Sequence, residues 1–212
     1  MRVMLKLTST LRCRVLVNKY SIILFHYVLL FSLCLGVAGC HDPDDVIKAA
    51  KFGDLQSLVK SLDAGTQIDH ADPAGETALF HIIGSGSQKG FDLLMERGAS
   101  TKAKDIQGNS VLHKAATFSR ERFAKALINM GVKVNSTNKV GATPLHYAVR
   151  NGDEGITKLL LEHGAEKNIS DFQGNSVVNL VEAMLNEDSL SDSMGKVISK
   201  NSVLNIEKFL KQ

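Results

Sequence analysis

The stretch Asn138-Lys139-Val140-Gly141-Ala142-Thr143-Pro144-Leu145-His146-Tyr147-Ala148 decides how this chain is read. It holds a turn glycine, then a hydroxyl residue followed by proline, then the start of a helical pattern. Thr143 suits a helix N-cap, its hydroxyl accepting a backbone N–H, and Pro144 suits the first helical position, where an N–H is not needed. The pattern stands 33 residues earlier as Asp105-Ile106-Gln107-Gly108-Asn109-Ser110-Val111-Leu112-His113. One period before that it reads Asp72-Pro73-Ala74-Gly75-Glu76-Thr77-Ala78-Leu79-Phe80, and a further copy begins Asp171-Phe172-Gln173-Gly174-Asn175-Ser176-Val177-Val178-Asn179. Gly65, Gly98, Gly131 and Gly164 keep the same period; Gly53, Gly86 and Gly152 share the frame, with Ser119 in the remaining place.

Apolar residues between these marks recur at helical spacing: Phe91, Leu94 and Met95, then Phe123, Leu127 and Ile128, then Ile156, Leu159 and Leu160. Ser110 and Thr77 are the capping equivalents of Thr143. Gly98, Gly131 and Gly164 stand where a left-handed residue ends a helix, and Gly75, Gly108, Gly141 and Gly174 where a finger turns. One such helix pair cannot bury its apolar side alone, so the units must stack, with modified units at the ends. The first unit, from Val46, lacks a preceding finger and carries Lys60 and Ser61 where later units have leucines.

Thr143-Pro144-Leu145-His146-Tyr147-Ala148, closed by Gly164-Ala165, resembles the ankyrin repeat, and the resemblance covers about residues 43–185. It implies an all-α solenoid of four to five helix-turn-helix repeats with β-hairpin fingers and a C-terminal capping helix. The expected divisions are repeats at 46–71, 72–104, 105–137 and 138–170, a partial one at 171–185, and a loop and capping helix over 186–212. The family's histidine bonds within and between turns, which makes His113 and His146 structural; Phe80 replaces the histidine of the preceding unit. Ankyrin partners usually meet the finger tips and the exposed side of each first helix. Carried over, this selects Ile106, Gln107, Phe118, Lys139, Val140, Arg150 and Phe172 as candidate partner-binding residues. The alternative is that some of these side chains fold back onto their own finger or lie beneath the C-terminal cap.

The first 39 residues are of a different kind. Arg2, Lys6, Arg12, Arg14 and Lys19 precede an apolar run over 21–39, with no acidic residue anywhere before Cys40. That order is the one of a secretory signal, whose positive end stays cytoplasmic. Val37-Ala38-Gly39-Cys40 resembles the lipobox of bacterial lipoproteins, which implies cleavage after 39, a thioether-linked diacylglycerol on Cys40, and a short tether over 40–45. An uncleaved signal anchor is the alternative, since about 20 apolar residues span a bilayer. Either places the repeats on the periplasmic side of the cell envelope; His41 after the cysteine favours the outer over the inner membrane. The three cysteines all lie at or before Cys40, so the repeats can form no internal disulfide.

Of 25 basic residues five lie in the leader, leaving 20 against 22 acidic ones beyond it, so the repeats are not basic and nucleic-acid binding loses its electrostatic support. No nucleophile–base set and no phosphate-cradling loop stands out, so neither an enzyme nor a cofactor is expected. His113 and His146, one repeat apart, lack carboxylate or thiolate company, so no metal is assigned. The expected function is a protein-binding module tethered to the membrane, its partner a protein. Two alternatives remain: an immunity protein against a membrane-active toxin such as a phospholipase, and a scaffold for an envelope enzyme or assembly.

Overall fold

A computed structural model describes residues 42–187, 190–192 and 195–212. The leader and Cys40 lie outside the described residues. Among the described residues ten helices form five pairs: α1 (Asp44–Phe52) with α2 (Leu55–Asp63), α3 (Ala78–Ser85) with α4 (Gln88–Glu96), α5 (Val111–Thr117) with α6 (Glu121–Asn129), α7 (Pro144–Arg150) with α8 (Glu154–Glu162), and α9 (Val177–Asn186) with α10 (Lys200–Lys211). None of these helices is long and apolar enough to cross a membrane.

Each helix has only seven to twelve residues. Helices that short are marginal in water, so packing must supply their stability. The first helices α1, α3, α5, α7 and α9 lie against one another in series. Between the second helices, the Phe91 and Phe123 rings stack at 4.8 Å. One continuous core results, with Leu58, Phe80, Ile82, Leu94, Leu112, Leu127, Leu145, Ile156, Leu160 and Ile206 fully buried. The chain is thus an all-α repeat solenoid.

Helix ends follow the sequence chemistry closely. At Gly131 the φ angle is 81°, its N–H donates to the Ile128 carbonyl, and Val132 N–H reaches back to Leu127 at 3.1 Å. The orphan carbonyls at the ends of first helices are satisfied by the next repeat. Arg120 Nη2 donates to Gly84 O at 2.8 Å, and Asn151 Nδ2 to Thr117 O at 2.8 Å and Ala116 O at 3.2 Å.

The fingers are tighter than hairpins with strands. Ala71–Thr77, Lys104–Ser110 and Ser170–Ser176 each make a single antiparallel bridge, and the finger between the last two closes through Asn138 N–H to Ala142 O at 3.0 Å. The side chain opening each turn explains its shape. Asp72 Oδ1 accepts from the N–H groups of Ala74 and Glu76, and Asp105, Asn138 and Asp171 repeat this with their own turns. Successive fingers are joined edge to edge: Ile106 N–H donates to Ala74 O (2.9 Å), Lys139 N–H to Gln107 O (2.8 Å), and Phe172 N–H to Val140 O (2.9 Å).

Thr143 holds the N-cap position in a reciprocal capping box with His146, whose Nδ1 accepts from the Thr143 N–H at 3.1 Å, and the His146 N–H also lies 3.0 Å from the Thr143 carbonyl. One capping expectation needs correction. Thr77 also holds the N-cap position, yet its buried hydroxyl has no partner, because Phe80 offers no ring nitrogen.

Before the C-terminal helix, the segment expected as a loop carries specific bonding between its described residues. Asp192 N–H donates to Lys196 O, Lys196 N–H to Asp192 Oδ1 and Gly195 N–H to Asp192 O, with a bridge between Ser191 and Val197. This is the bonding of a finger, only 21 residues after Asp171 instead of 33. Leu190 and Ile198 are buried, and Ile198 lies against Gly152 at the turn between α7 and α8. Helix α10 then packs on α8 and α9 through Val203, Ile206 and Leu210. Lys167 Nζ bonds the Leu210 carbonyl near the end of α10.

Candidate partner-binding surface

The surface is built from the finger tips and the exposed side of the first helices. Because the tips are bonded through their backbones, their side chains are free to project. Ile106 and Val140 are each 53% exposed and Phe172 81%. Gln107, Lys139 and Arg150 are exposed as well. Exposure of large apolar side chains on three successive tips opposes the burial that shapes the rest of the chain, and such patches mark contact surfaces.

Val140, Arg150 and Phe172 come together around one concavity of about 390 Å³, with Ala142, Tyr147, Asp171 and Gln173. Gly141 makes that closeness possible: its φ is 79°, and a Cβ there would stand 2.9 Å from Phe172 Cδ1. Tyr147 forms the floor, its hydroxyl accepting from Asn138 Nδ2 at 2.9 Å and its ring edge-on to His113. Asp171 spends its carboxylate on the N–H groups of Gln173 and Asn175. Arg150 has no ion pair among the described residues. Ile106, Gln107 and Lys139 are not in this concavity and extend the tip row to the preceding finger. Phe118 stands apart, half-buried at the end of α5 with the Lys114 ammonium 5.0 Å from its ring centre.

His113 and His146 are structural in their bonding. Ser110 N–H donates to His113 Nδ1 at 3.1 Å, so the proton sits on Nε2, which donates to Ala142 O at 3.0 Å in the next finger. His146 does the same from Thr143 N–H to Asn175 O at 3.2 Å. Burial pushes His113 down to about 4 and lowers His146 also, so both rings are neutral at neutral pH. Each ring ties one repeat to the next, and neither nitrogen is spare.

A cluster that the sequence reading missed lies one repeat earlier. Asp72, Glu76 and His81 bring one ligand atom each within 4.8 Å of one another. His81 Nε2 is 3.0 Å from Asp72 Oδ2, and Lys114 Nζ donates to Glu76. Burial pushes the Asp72 carboxyl up, but the Glu76 N–H and the His81 ring hold it below its ordinary value. The donor types are those of a carboxylate–imidazole metal site, but the Lys114 ammonium already supplies the positive charge to Glu76. The arrangement acts as an ion-pair strut joining finger, α3 and α5. The register carries only part of it: positions 81, 114 and 147 are equivalent places in successive units, but it does not show which carboxylates His81 and Lys114 meet.

The family model of ankyrin repeats (3 copies) matches residues 46–138 and 91–171. The chain is 34% identical over 138 residues to the phosphocholine transferase AnkX of Legionella pneumophila, covering 62% of this chain and 14% of that protein. It is 42% identical over 77 residues to mouse Rabankyrin-5, covering 36% of this chain and 7% of that one. To the mouse nuclear factor NF-kappa-B p105 subunit it is 33% identical over 130 residues, covering 59% and 13%. The chain therefore spans a small part of the length of these relatives, and the match to an enzyme brings no catalytic residue to it. Ankyrin repeats generally serve as non-catalytic protein-interaction modules. With the period, the finger bonding and the family match in agreement, this chain belongs to the ankyrin repeat family.

Proposed function

We propose that this array binds a protein partner at the bacterial cell envelope, held by a lipid on Cys40 and facing the periplasm, with the outer membrane preferred. The observation that carries the binding surface is the concavity of Val140, Tyr147 and Phe172 beside Arg150. It offers apolar walls for a side chain and one unpaired guanidinium for a carboxylate or a carbonyl. Large aromatic or aliphatic anchors seated in such pockets dominate protein interfaces, while surrounding contacts exclude water. The anchor rests on the leader sequence alone: an apolar run after five positive charges, ending at the last cysteine of the chain.

Two measurements test the two halves. Val140→Asp with Phe172→Asp should reduce recovery of the partner by the membrane-extracted protein at least about tenfold, since a hot-spot pair costs more than about 1.4 kcal/mol. Equal recovery would sink the surface assignment. Cys40→Ser should abolish fatty-acid labelling, and undiminished labelling would remove the anchor.

A further inference from the structure

The finger opened by Asn138 is built differently from its neighbours. Asp72, Asp105 and Asp171 open the other fingers of the 33-residue frame with a carboxylate, whereas Asn138 brings an amide to the same place. The amide keeps the turn, because its Oδ1 accepts from the Val140 and Ala142 N–H groups as the carboxylates do in theirs. Its Nδ2 does what a carboxylate cannot, donating to Asn109 Oδ1 at 2.8 Å and to the Tyr147 hydroxyl at 2.9 Å. One negative charge is thereby missing from the tip row, beside Lys139 and Val140. The Tyr147 oxygen accepts from Asn138 and still has its own proton to donate. Its acceptor among the described residues, Asn109 Oδ1, lies at 3.4 Å, longer than a good O–H···O bond.

Arg150 stands three residues after Tyr147 on α7, a spacing that shares one side of a helix, and both line the concavity with Val140 and Phe172. Arg150 and Lys139 are exposed, and neither has an ion pair among the described residues. Asp171 is the acidic residue of the lining, and it is engaged by its own finger. Its Oδ1 accepts from the Gln173 and Asn175 N–H groups, and its Oδ2 from Asn175 Nδ2 at 3.3 Å. The concavity and the tip beside it therefore carry two unpaired cations to one engaged carboxylate. Val140 and Phe172 add apolar walls from two fingers that one backbone bond joins.

We infer that this concavity takes an acidic segment of the partner protein. An aliphatic or aromatic side chain of that segment lies against Val140 and Phe172, and the carboxylate of a neighbouring Asp or Glu meets Arg150 and the Tyr147 hydroxyl. A guanidinium grips a carboxylate through two parallel N–H donors, and charge assistance makes such bonds about twice as strong as neutral ones. A carbonyl suits these donors less, because it does not answer the charges of Arg150 and Lys139. The tip row selects an internal residue over a chain terminus. Lys139, Gln107 and Ile106 run on to the preceding finger, so a segment bound along the tips continues past the concavity. Nucleic acid is a poor occupant, since beyond the leader the chain has 20 basic against 22 acidic residues. This assignment rests on the concavity being a partner surface, as proposed above, and is independent of the lipid at Cys40.

Short random peptides displayed on phage supply the probe, each fused through its C-terminus. They are selected on the membrane-extracted full chain, on its Arg150→Glu variant, and on the variant with both Val140→Asp and Phe172→Asp. Clones selected by the unsubstituted chain should carry Asp or Glu next to, or one place from, an aliphatic or aromatic residue. The Arg150→Glu chain should select Lys or Arg at that place. The selected sequences are then made as amidated, fluorescein-labelled peptides and titrated by anisotropy. Arg150→Gln should weaken them at least about tenfold, whereas their counterparts with the acid replaced by its amide should bind both chains alike. Because Arg150 is exposed, circular dichroism of its variants should match that of the unsubstituted chain. Selected clones without an acid overturn the inference, as does equal weakening of acid and amide peptides by Arg150→Gln. Binding that needs a free peptide C-terminus overturns it as well. In those three cases the concavity stands as a partner surface, provided that Val140→Asp with Phe172→Asp has lost the clones. Clones retained by that double variant, or no enrichment on the unsubstituted chain, remove the surface and the acidic segment together.

Discussion

Ser119 is the one residue other than glycine with a positive φ among the described residues, at 53°. It stands where Gly53, Gly86 and Gly152 stand in the other repeats, so the fold requires a left-handed residue and this unit meets that need with a side chain in place. The conformation costs an L-residue about 1–2 kcal/mol, part of which glycine's greater freedom when unfolded offsets. Ser119→Gly should therefore stabilise the array by about 1 kcal/mol, seen as a higher thermal midpoint. His113 sets a pH dependence at the same scale. Its ring titrates near 6.5 when unfolded and about 4 when folded, so between those values the unfolded chain binds the extra proton. Stability is complete above about pH 6.5 and falls as pH drops toward 4, by on the order of 3 kcal/mol. Urea midpoints measured at neutral pH and again close to the folded-state value check this. His113→Phe, copying Phe80, should flatten the slope partially, because His146 is lowered in the same direction. Unchanged slopes would mean that His113 takes up its proton as readily in the folded chain as in the unfolded one.

Among the elements, the fingers depend on side chains that open each turn and on backbone bonds to the next finger. Gly141 is where the two meet, since a Cβ would press on Phe172 Cδ1 at 2.9 Å and its N at 3.1 Å. Gly141→Ala should cost about 1–2 kcal/mol from the left-handed φ alone. It should also loosen the finger opened by Asp171, so amide exchange at Phe172 and Asn175 should accelerate before that of α7. The strut Asp72–His81 with Glu76–Lys114 was illegible along the chain because its members lie 9 and 38 residues apart. What the sequence did carry was the register, and register alone places His81, Lys114 and Tyr147 in one row. Phe118, taken from the first-helix positions, lies apart from the tip residues for the opposite reason: equivalence in the repeat says that a residue is on a face, not which part of it.

For the whole molecule, stability is a sum of repeats and their shared faces, so removal of one end should be felt mostly by its neighbour. Ending the chain after Asn186 deletes Leu190, Ile198, Val203, Ile206 and Leu210 from the core and uncovers the sides of α8 and α9. The expected result is an array whose α9 unfolds at lower urea than the rest, giving a sloping first phase in circular dichroism. A single transition with an unshifted midpoint would show that α10 adds nothing to the stack.

The stretch from Asn138 to Ala148 determined, with its copies, the repeat length, the helix starts, the helix-ending glycines and the all-α class. These follow from local chemistry: caps, turns and 3.6-residue periodicity act within a few residues of one another. The candidate tip residues came with the ankyrin resemblance, carried onto this chain through the register. Tertiary structure alone decided that Val140, Arg150 and Phe172 share a concavity, since that depends on how far one finger steps from the next. It alone showed Asp192 rebuilding a finger out of period, because neither its partner atoms nor the burial of Leu190 and Ile198 has a signature within the 33-residue frame. And it decided the destination of the His113 Nε2 proton, a carbonyl 29 residues away that only stacking brings to 3.0 Å.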